Sequence, residues 1–150
     1  MTTYFLDSSA IGKRYMTEVG SPWVRSLVAP AAGHVVVLSR LAIVEISSAL
    51  ARKQRLGQIS AVDALQRRTD FLLHVEKLYL TVPLDEALLQ RASDLTGKYP
   101  LRSLDAMQLA CALEATATLG EPHIFVCSDN NLLAAAVAEG FPTDNPLAHP

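Results

Sequence analysis

Asp7, Glu45, Asp105 and Asp129 each stand within or directly after an apolar run, in the segments TYFLDSSA, LAIVEISSAL, LRSLDAMQLACAL and HIFVCSDNNLLAAA. A carboxylate taken out of water is costly unless it is paired, protonated or bound to a metal. Acids that share this predicament point to one metal site. If they converge, their repulsion raises at least one pKa unless a dication neutralises them. Ligation by oxygen alone selects a hard ion, Mg²⁺ with Mn²⁺ as substitute, that retains several waters. Zinc would call for His or Cys at tetrahedral spacing, and His34, His74, His123 and His149 are scattered without it. A carboxylate-held Mg²⁺ lowers the pKa of a bound water and stabilises charge on a scissile phosphate, the chemistry of phosphodiester hydrolysis, with one ion or with two.

Each acid also has a structural reading. Asp7, beside Ser8 and Ser9, and Asp129, after Ser128, stand where a strand gives way to a helix and can cap it. Glu45 can face solvent on a polar stripe with Arg52. Asp105 can favour the dipole of a helix opened by Ser103. Its face also carries Leu109 and Ala112, however, so that face points inward and the acid needs a partner. Arg102 is the one basic residue close in sequence. Asp7 and Asp129 hold equivalent strand-end positions and meet if their strands are neighbours, in the crevice where open α/β sheets bind ligands. Lys13, Arg14, Arg40 and Arg52 are candidate contacts for phosphate, with Lys53 and Arg55 on the same helix as Arg40 and Arg52; their plainer meaning is a solvated face.

The elements that must position these groups alternate between β-rich and helical runs, which predicts α/β architecture around a mainly parallel sheet. Strands are expected at 3–6, 34–38, 78–82 and 123–127, all apolar throughout, as suits strands covered by helices on both faces. Helices are expected at 8–15 and 21–28, the second opened by Ser21 and Pro22 and ended by Pro30, then at 40–56, stopped by Gly57. Ser60 and Asp63 open a further helix toward Glu76, making a helical hairpin. The remaining helices are expected at 85–99, at 104–119 capped by Ser103, and at 131–139. The Pro-rich tail, 141–150, is expected to hold one short edge strand and then fray.

A chain of 150 residues, half of them hydrophobic, buries one core and is too short for two ordinary domains, so 1–150 reads as one domain with its core at about 3–140. The mean hydropathy of +0.23 argues against disorder. Charges interrupt every apolar stretch before the ~20 residues a membrane span needs, and no secretory signal is visible. A cytoplasmic location, without membrane attachment, is the expectation. Cys111 and Cys127 suit neither a disulfide framework nor a metal motif and read as small buried hydrophobes. The net charge of −2 carries no global signature of nucleic-acid binding, but setting the four acids aside leaves 13 basic against 11 acidic residues.

The opening LDSSAIGKRY, the helix VEISSALAR, the segment LRSLDAMQLACAL and the junction FVCSDNNLLAAA together resemble a PIN domain, most closely the VapC-type toxins of toxin-antitoxin pairs. The resemblance runs from Asp7 to about Gly140. It implies a three-layer α/β/α sandwich with a central parallel sheet, and an endoribonuclease dependent on Mg²⁺ or Mn²⁺. Asp7, Glu45, Asp105 and Asp129 match the family's acidic quartet, Asp7 and Asp105 being the surest metal ligands and Asp129 matching its most variable member. Ser128 matches a small hydroxyl residue before the fourth acid, and Ser9 lies where supporting contacts to the site or substrate are expected. A homodimer and a small antitoxin that silences the acidic site are implied as partners. Alternatives of the same fold are a non-catalytic module that binds RNA or protein, and a nuclease of RNA processing that acts without an antitoxin. Other Asp-based α/β proteins fit poorly. A haloacid-dehalogenase-like phosphatase wants a second Asp where Ser9 stands, a receiver domain wants a Lys after a late strand, and no Gly-rich phosphate loop is present.

Overall fold

Short runs rich in β-branched and aromatic residues separated by capped helices give a sheet wound with helices on both faces. In the computed structural model, which describes residues 1–150, the order is β1 (Thr3–Leu6), α1 (Ser8–Tyr15), α2 (Ser21–Val28), β2 (Val35–Ser39), α3 (Leu41–Arg55), α4 (Ala61–Lys77), β3 (Leu80–Val82), α5 (Glu86–Lys98), α6 (Ser103–Leu119), β4 (Ile124–Val126), α7 (Asn130–Ala138) and β5 (Thr143–Asp144). The five strands are all parallel, in the order β3-β2-β1-β4-β5. The protein is a three-layer α/β/α sandwich.

Side chains alternate across the strands with period two. Phe5, Val37 and Phe125 enter one hydrophobic cluster, under α5, α6 and α7. Leu6, Val36, Leu38 and Val126 enter the other, under α1, α2, α3 and α4. From β1 the chain winds one way through β2 to β3, and from β4 it winds the other way to β5. The loops leaving β1 and β4 therefore diverge to opposite faces, opening a crevice at the carboxyl ends of these two strands. Pairing of Leu6 with Val126 puts Asp7 and Asp129 on either side of that crevice.

Helix ends follow the expected chemistry in most places. Asp7, Ser60, Asp85 and Asp129 each accept a backbone N–H from the first turn of their helix. Ser103 does not cap α6: it is the first helical residue, and Arg102 before it makes no side-chain capping bond. Pro30 does more than end α2, since Pro30–Ala32 forms a 3-10 turn. The tail does not fray. Thr143–Asp144 pairs with β4 as the expected edge strand, and His149 then stacks on Trp23 with ring centroids 4.1 Å apart and bonds Asp144 at 2.8 Å. Gly20 permits this docking, because a Cβ there would collide with the Pro146 carbonyl and its φ of +87° suits glycine alone. No helix is long and apolar enough to cross a membrane.

Candidate active site

Asp7, Glu45, Asp105 and Asp129 line one cleft of about 340 Å³, together with Ser8, Ser9, Arg102, Leu104, Gln108 and Ser128. β1 and β4 present Asp7 and Asp129 from the crevice floor. The helix α3 on one face and α6 on the other bring Glu45 and Asp105 in from opposite layers.

Asp7 is 5% exposed. Its Oδ1 accepts the Ser9 hydroxyl at 2.7 Å and the Ala10 N–H at 2.9 Å, while its own N–H donates to the Val126 carbonyl at 3.1 Å and ties it to β4. Burial pushes its pKa up to about 7; the bonds from Ser9 and Ala10 oppose the rise, and the charges of Asp105 and Glu45 add to it. Asp105 and Glu45 are thus both close enough to act on Asp7, which has little water around it to screen them.

Capping and ligation turn out not to compete. On Asp129 the bond from the Leu132 N–H, 2.8 Å, goes to Oδ1. On Glu45 both bonds, from the Ser8 hydroxyl at 2.7 Å and the Gln108 amide at 3.1 Å, go to Oε1. On Asp105 the only contact is a long one, from Arg102 Nε to Oδ2 at 3.4 Å. Every one of the four carboxylates therefore keeps one oxygen that accepts nothing from the protein. A carboxylate has two oxygens, and the fold uses only one of each.

Four uncommitted carboxylate oxygens around one cleft fit a hard divalent cation. No three of the side chains are drawn together tightly enough to grip an ion by themselves. Mg²⁺ does not require such a grip, since it is commonly held by one or two carboxylates and keeps water for the rest. Two further polar atoms are buried here without partners, Gln108 Oε1 and Ser128 Oγ. Buried polar groups are otherwise almost always satisfied, so both mark positions for water or ligand.

Ser9 also accepts the Ser128 N–H at 3.4 Å, joining the ends of β1 and β4. Gln108 had no place in the sequence reading. It is 3% exposed and bridges Ser8, at 3.0 Å, to Glu45. Its signal was present: it is one turn beyond Asp105 on the face shared with Leu109 and Ala112, a polar residue in an apolar run.

The basic candidates divide. Lys13 and Arg52 line a groove of about 890 Å³, with Lys53 and Arg55, that shares Ser8, Ser9, Glu45, Leu104 and Ser128 with the acidic cleft. Lys13 is buried and paired with Glu18 at 3.1 Å. Arg14 and Arg40 lie outside this groove. Arg14 donates to the Tyr79 hydroxyl at 2.8 Å, and Arg40 contacts Thr81 at 3.3 Å beside β3. Helical periodicity explains the split, since Arg14 follows Lys13 by about 100° of rotation and faces a different side of α1.

With the acids gathered at the switch point of an all-parallel sheet, the comparison with known proteins is decisive: the profile of the PIN domain matches residues 4–137. The chain belongs to the PIN domain family. No curated protein matches it in sequence. The PIN fold here is similar to that of Mycobacterium tuberculosis VapC20, a toxin that cleaves the Sarcin-Ricin loop, at 15% identity and a TM-score of 0.63 over 92% of this chain and 95% of that one. PAE2754 from Pyrobaculum aerophilum is similar at 17% identity and 0.63 over 98% and 92%. FitAB bound to a DNA fragment is similar at 15% identity and 0.65 over 96% and 95%.

Proposed function

We propose that this PIN domain is a metal-dependent endoribonuclease of the VapC toxin type. The observation that carries the reading is the ring of four carboxylates around one cleft, each with one oxygen left free by the fold. The likeness to VapC20 supports RNA as the substrate class.

In this reading Asp7, Asp105, Glu45 and Asp129 would hold Mg²⁺, or Mn²⁺ in its place. When bound, the ion supplies an activated water and charge stabilisation at the scissile phosphate. The rest falls to the chain's own groups. The Ser9 hydroxyl and Ala10 N–H aim Asp7 into the cleft and offset part of its desolvation. Ser8 and Gln108 lock Glu45 in one rotamer across the interface between α1, α3 and α6. Arg102, exposed at the cleft lip, and the groove residues Arg52, Lys53 and Arg55 attract the RNA backbone, neutralising phosphates on the way to the acids, while Lys13 is already paired with Glu18. A homodimer and a small antitoxin protein complete the proposal; multi-angle light scattering of the purified chain, alone and after co-expression with the product of a neighbouring short reading frame, reads both.

The test is cleavage of structured RNAs with Mg²⁺ beside Asp105→Asn and Asp129→Asn. Activity should drop by about 100-fold or more in the first, in line with the loss of one preorganised charge partner, and less in the second. Equal activity in wild type and both variants would falsify the assignment. Calorimetry with Mg²⁺ then separates a nuclease from a module that only binds RNA, since a non-catalytic module has no need of the ion.

Gln108→Leu gives a finer prediction. Leucine fills the space but removes the amide's bonds to Ser8 and Glu45, leaving Glu45 held by Ser8 alone, so turnover should fall roughly 10-fold while far-UV circular dichroism stays unchanged. Gln108→Glu should do worse than leucine, because it adds a fifth carboxylate to the cleft, where burial already works against the charge of Asp7. A Gln108→Leu enzyme with wild-type turnover would remove Gln108 from the site.

A further inference from the structure

Arg14, set aside by its distance from the acidic cleft, opens onto a second cleft of about 350 Å³ on the other side of α1. Arg25 from α2 and Arg67 from α4 line the same cleft, with Tyr15, Thr17, Asp70 and His74. Three guanidinium groups from three helices thus meet at one place. None takes part in any ion pair of the chain.

Their fixed bonds all go to neutral acceptors. Arg14 donates to Tyr79 Oη at 2.8 Å, Arg67 to the Tyr15 carbonyl at 3.2 Å, and Arg25 to the Arg14 carbonyl at 3.3 Å and the Thr17 hydroxyl at 3.2 Å. These bonds orient the groups without neutralising them. Arg14 is held further by a chain in which Tyr15 Oη meets Tyr79 Oη at 2.7 Å and His74 Nδ1 at 2.8 Å. Asp70, the one acid of the cleft, bonds Gln66 at 2.9 Å and offsets a single charge of the three. Burial and the Arg14 charge both hold the His74 pKa below its ordinary value, so the ring stays neutral and adds no competing cation. In a chain of net charge −2, three arginines lining one cleft with a single acid leave an excess of positive charge there. Each guanidinium still has N–H groups to spare, in the planar fork that matches a phosphate.

We propose that the Arg14–Arg25–Arg67 cleft is a binding site for a phosphate-type oxyanion, separate from the acidic cleft and independent of the nuclease reading. The phosphate can arrive free in solution or as part of an RNA strand. The second source would make the cleft an anchor for substrate remote from the point of cleavage.

The experiment is titration calorimetry of the whole chain in EDTA with inorganic phosphate, then fluorescence anisotropy with a labelled single-stranded oligoribonucleotide. Arg25→Gln, Arg14→Gln and Arg67→Gln are compared with Arg91→Gln, whose arginine pairs with Glu114 on another face. Phosphate should bind the wild type and Arg91→Gln alike and bind each cleft variant at least 5-fold more weakly. Arg25 is exposed and makes no bond to the tyrosine pair, so its variant keeps the test valid if Arg14→Gln disturbs that pair. If RNA is a source, the Arg14→Gln, Arg25→Gln double variant also loses RNA affinity and its salt dependence becomes shallower; if free phosphate is the only source, RNA affinity is unchanged while phosphate affinity falls. Phosphate binding that is absent from the wild type, or equal in the cleft variants and Arg91→Gln, overturns the proposal.

Discussion

Replacing Asp7 by asparagine is expected to abolish RNA cleavage, by about 100-fold or more, and at the same time to make the metal-free protein more stable at pH 8. The two effects share one cause. Burial lifts the Asp7 pKa to about 7, above its value in the unfolded chain, so the folded state holds a proton that the unfolded state has already released. The stability that this protonated form contributes is complete below about pH 4 and is lost as pH rises from there to about pH 7. Over that interval the loss approaches roughly 4 kcal/mol as an upper bound, at ~1.4 kcal/mol per pKa unit. Asparagine keeps the Oδ1 cap to Ala10 and has no charge to desolvate, so its melting temperature should lack this pH dependence. In wild type, Mg²⁺ or Mn²⁺ should restore stability at pH 8, act weakly at pH 5 where protons compete, and do nothing for Asp7→Asn. Melting curves at these two pH values, with EDTA or with metal, check all of this. A metal-induced shift of the same size in wild type and Asp7→Asn would remove Asp7 from the ligand set.

Phe125→Ala should be the most damaging single change to the fold itself. Phe125 is fully buried in the middle of the three-residue strand β4. Its ring stacks on Phe5 at 5.4 Å and packs on Phe141 at 5.8 Å, linking β1, β4 and the segment that leads into β5. Alanine removes the ring and leaves a cavity that neighbours anchored in other elements cannot close, at a cost of about 3–5 kcal/mol. Total stability for such domains is only ~5–15 kcal/mol, so the urea midpoint should fall by about a fifth or more with little change in slope. Val137→Ala, at an exposed position on α7, serves as the control and should stay within about 0.5 kcal/mol. Because β4 also places Asp129, any folded Phe125→Ala protein should bind metal less tightly than wild type.

Much of the fold was legible because its signals are local. Apolar strands bounded by Ser, Asp, Gly and Pro announced themselves, α1 begins at its cap Asp7 and α2 ends before Pro30, but α2 is not capped by Ser21: Ser21 is its first helical residue, after Gly20, and turns its hydroxyl to the Met16 carbonyl. The misses share a physical reason. Ser103 looked like a cap by type, but a cap is a matter of backbone dihedral, and the extended conformation falls at Arg102. The tail looked set to fray because proline-rich ends usually do; its anchor, Trp23, is more than a hundred residues away in sequence. Distance in sequence hid Gln108 in the same way, since its partners Ser8 and Glu45 sit on other helices.

The sequence by itself determined which residues could not be ordinary. Four carboxylates in apolar surroundings carry an energetic cost that composition and periodicity reveal without coordinates, and motifs in a fixed order carry the PIN domain resemblance. Tertiary structure alone decided what those carboxylates do with their oxygens. Strand order places Asp7 beside Asp129, burial lifts the pKa of Asp7, and hydrogen bonds consume one oxygen of each acid while leaving the other open. It also separated Lys13 from Arg14, sending adjacent cations to different sides of one helix and to two different clefts. Residue type sets a charge, whereas its partners and its exposure to water depend on contacts between segments that no local pattern encodes.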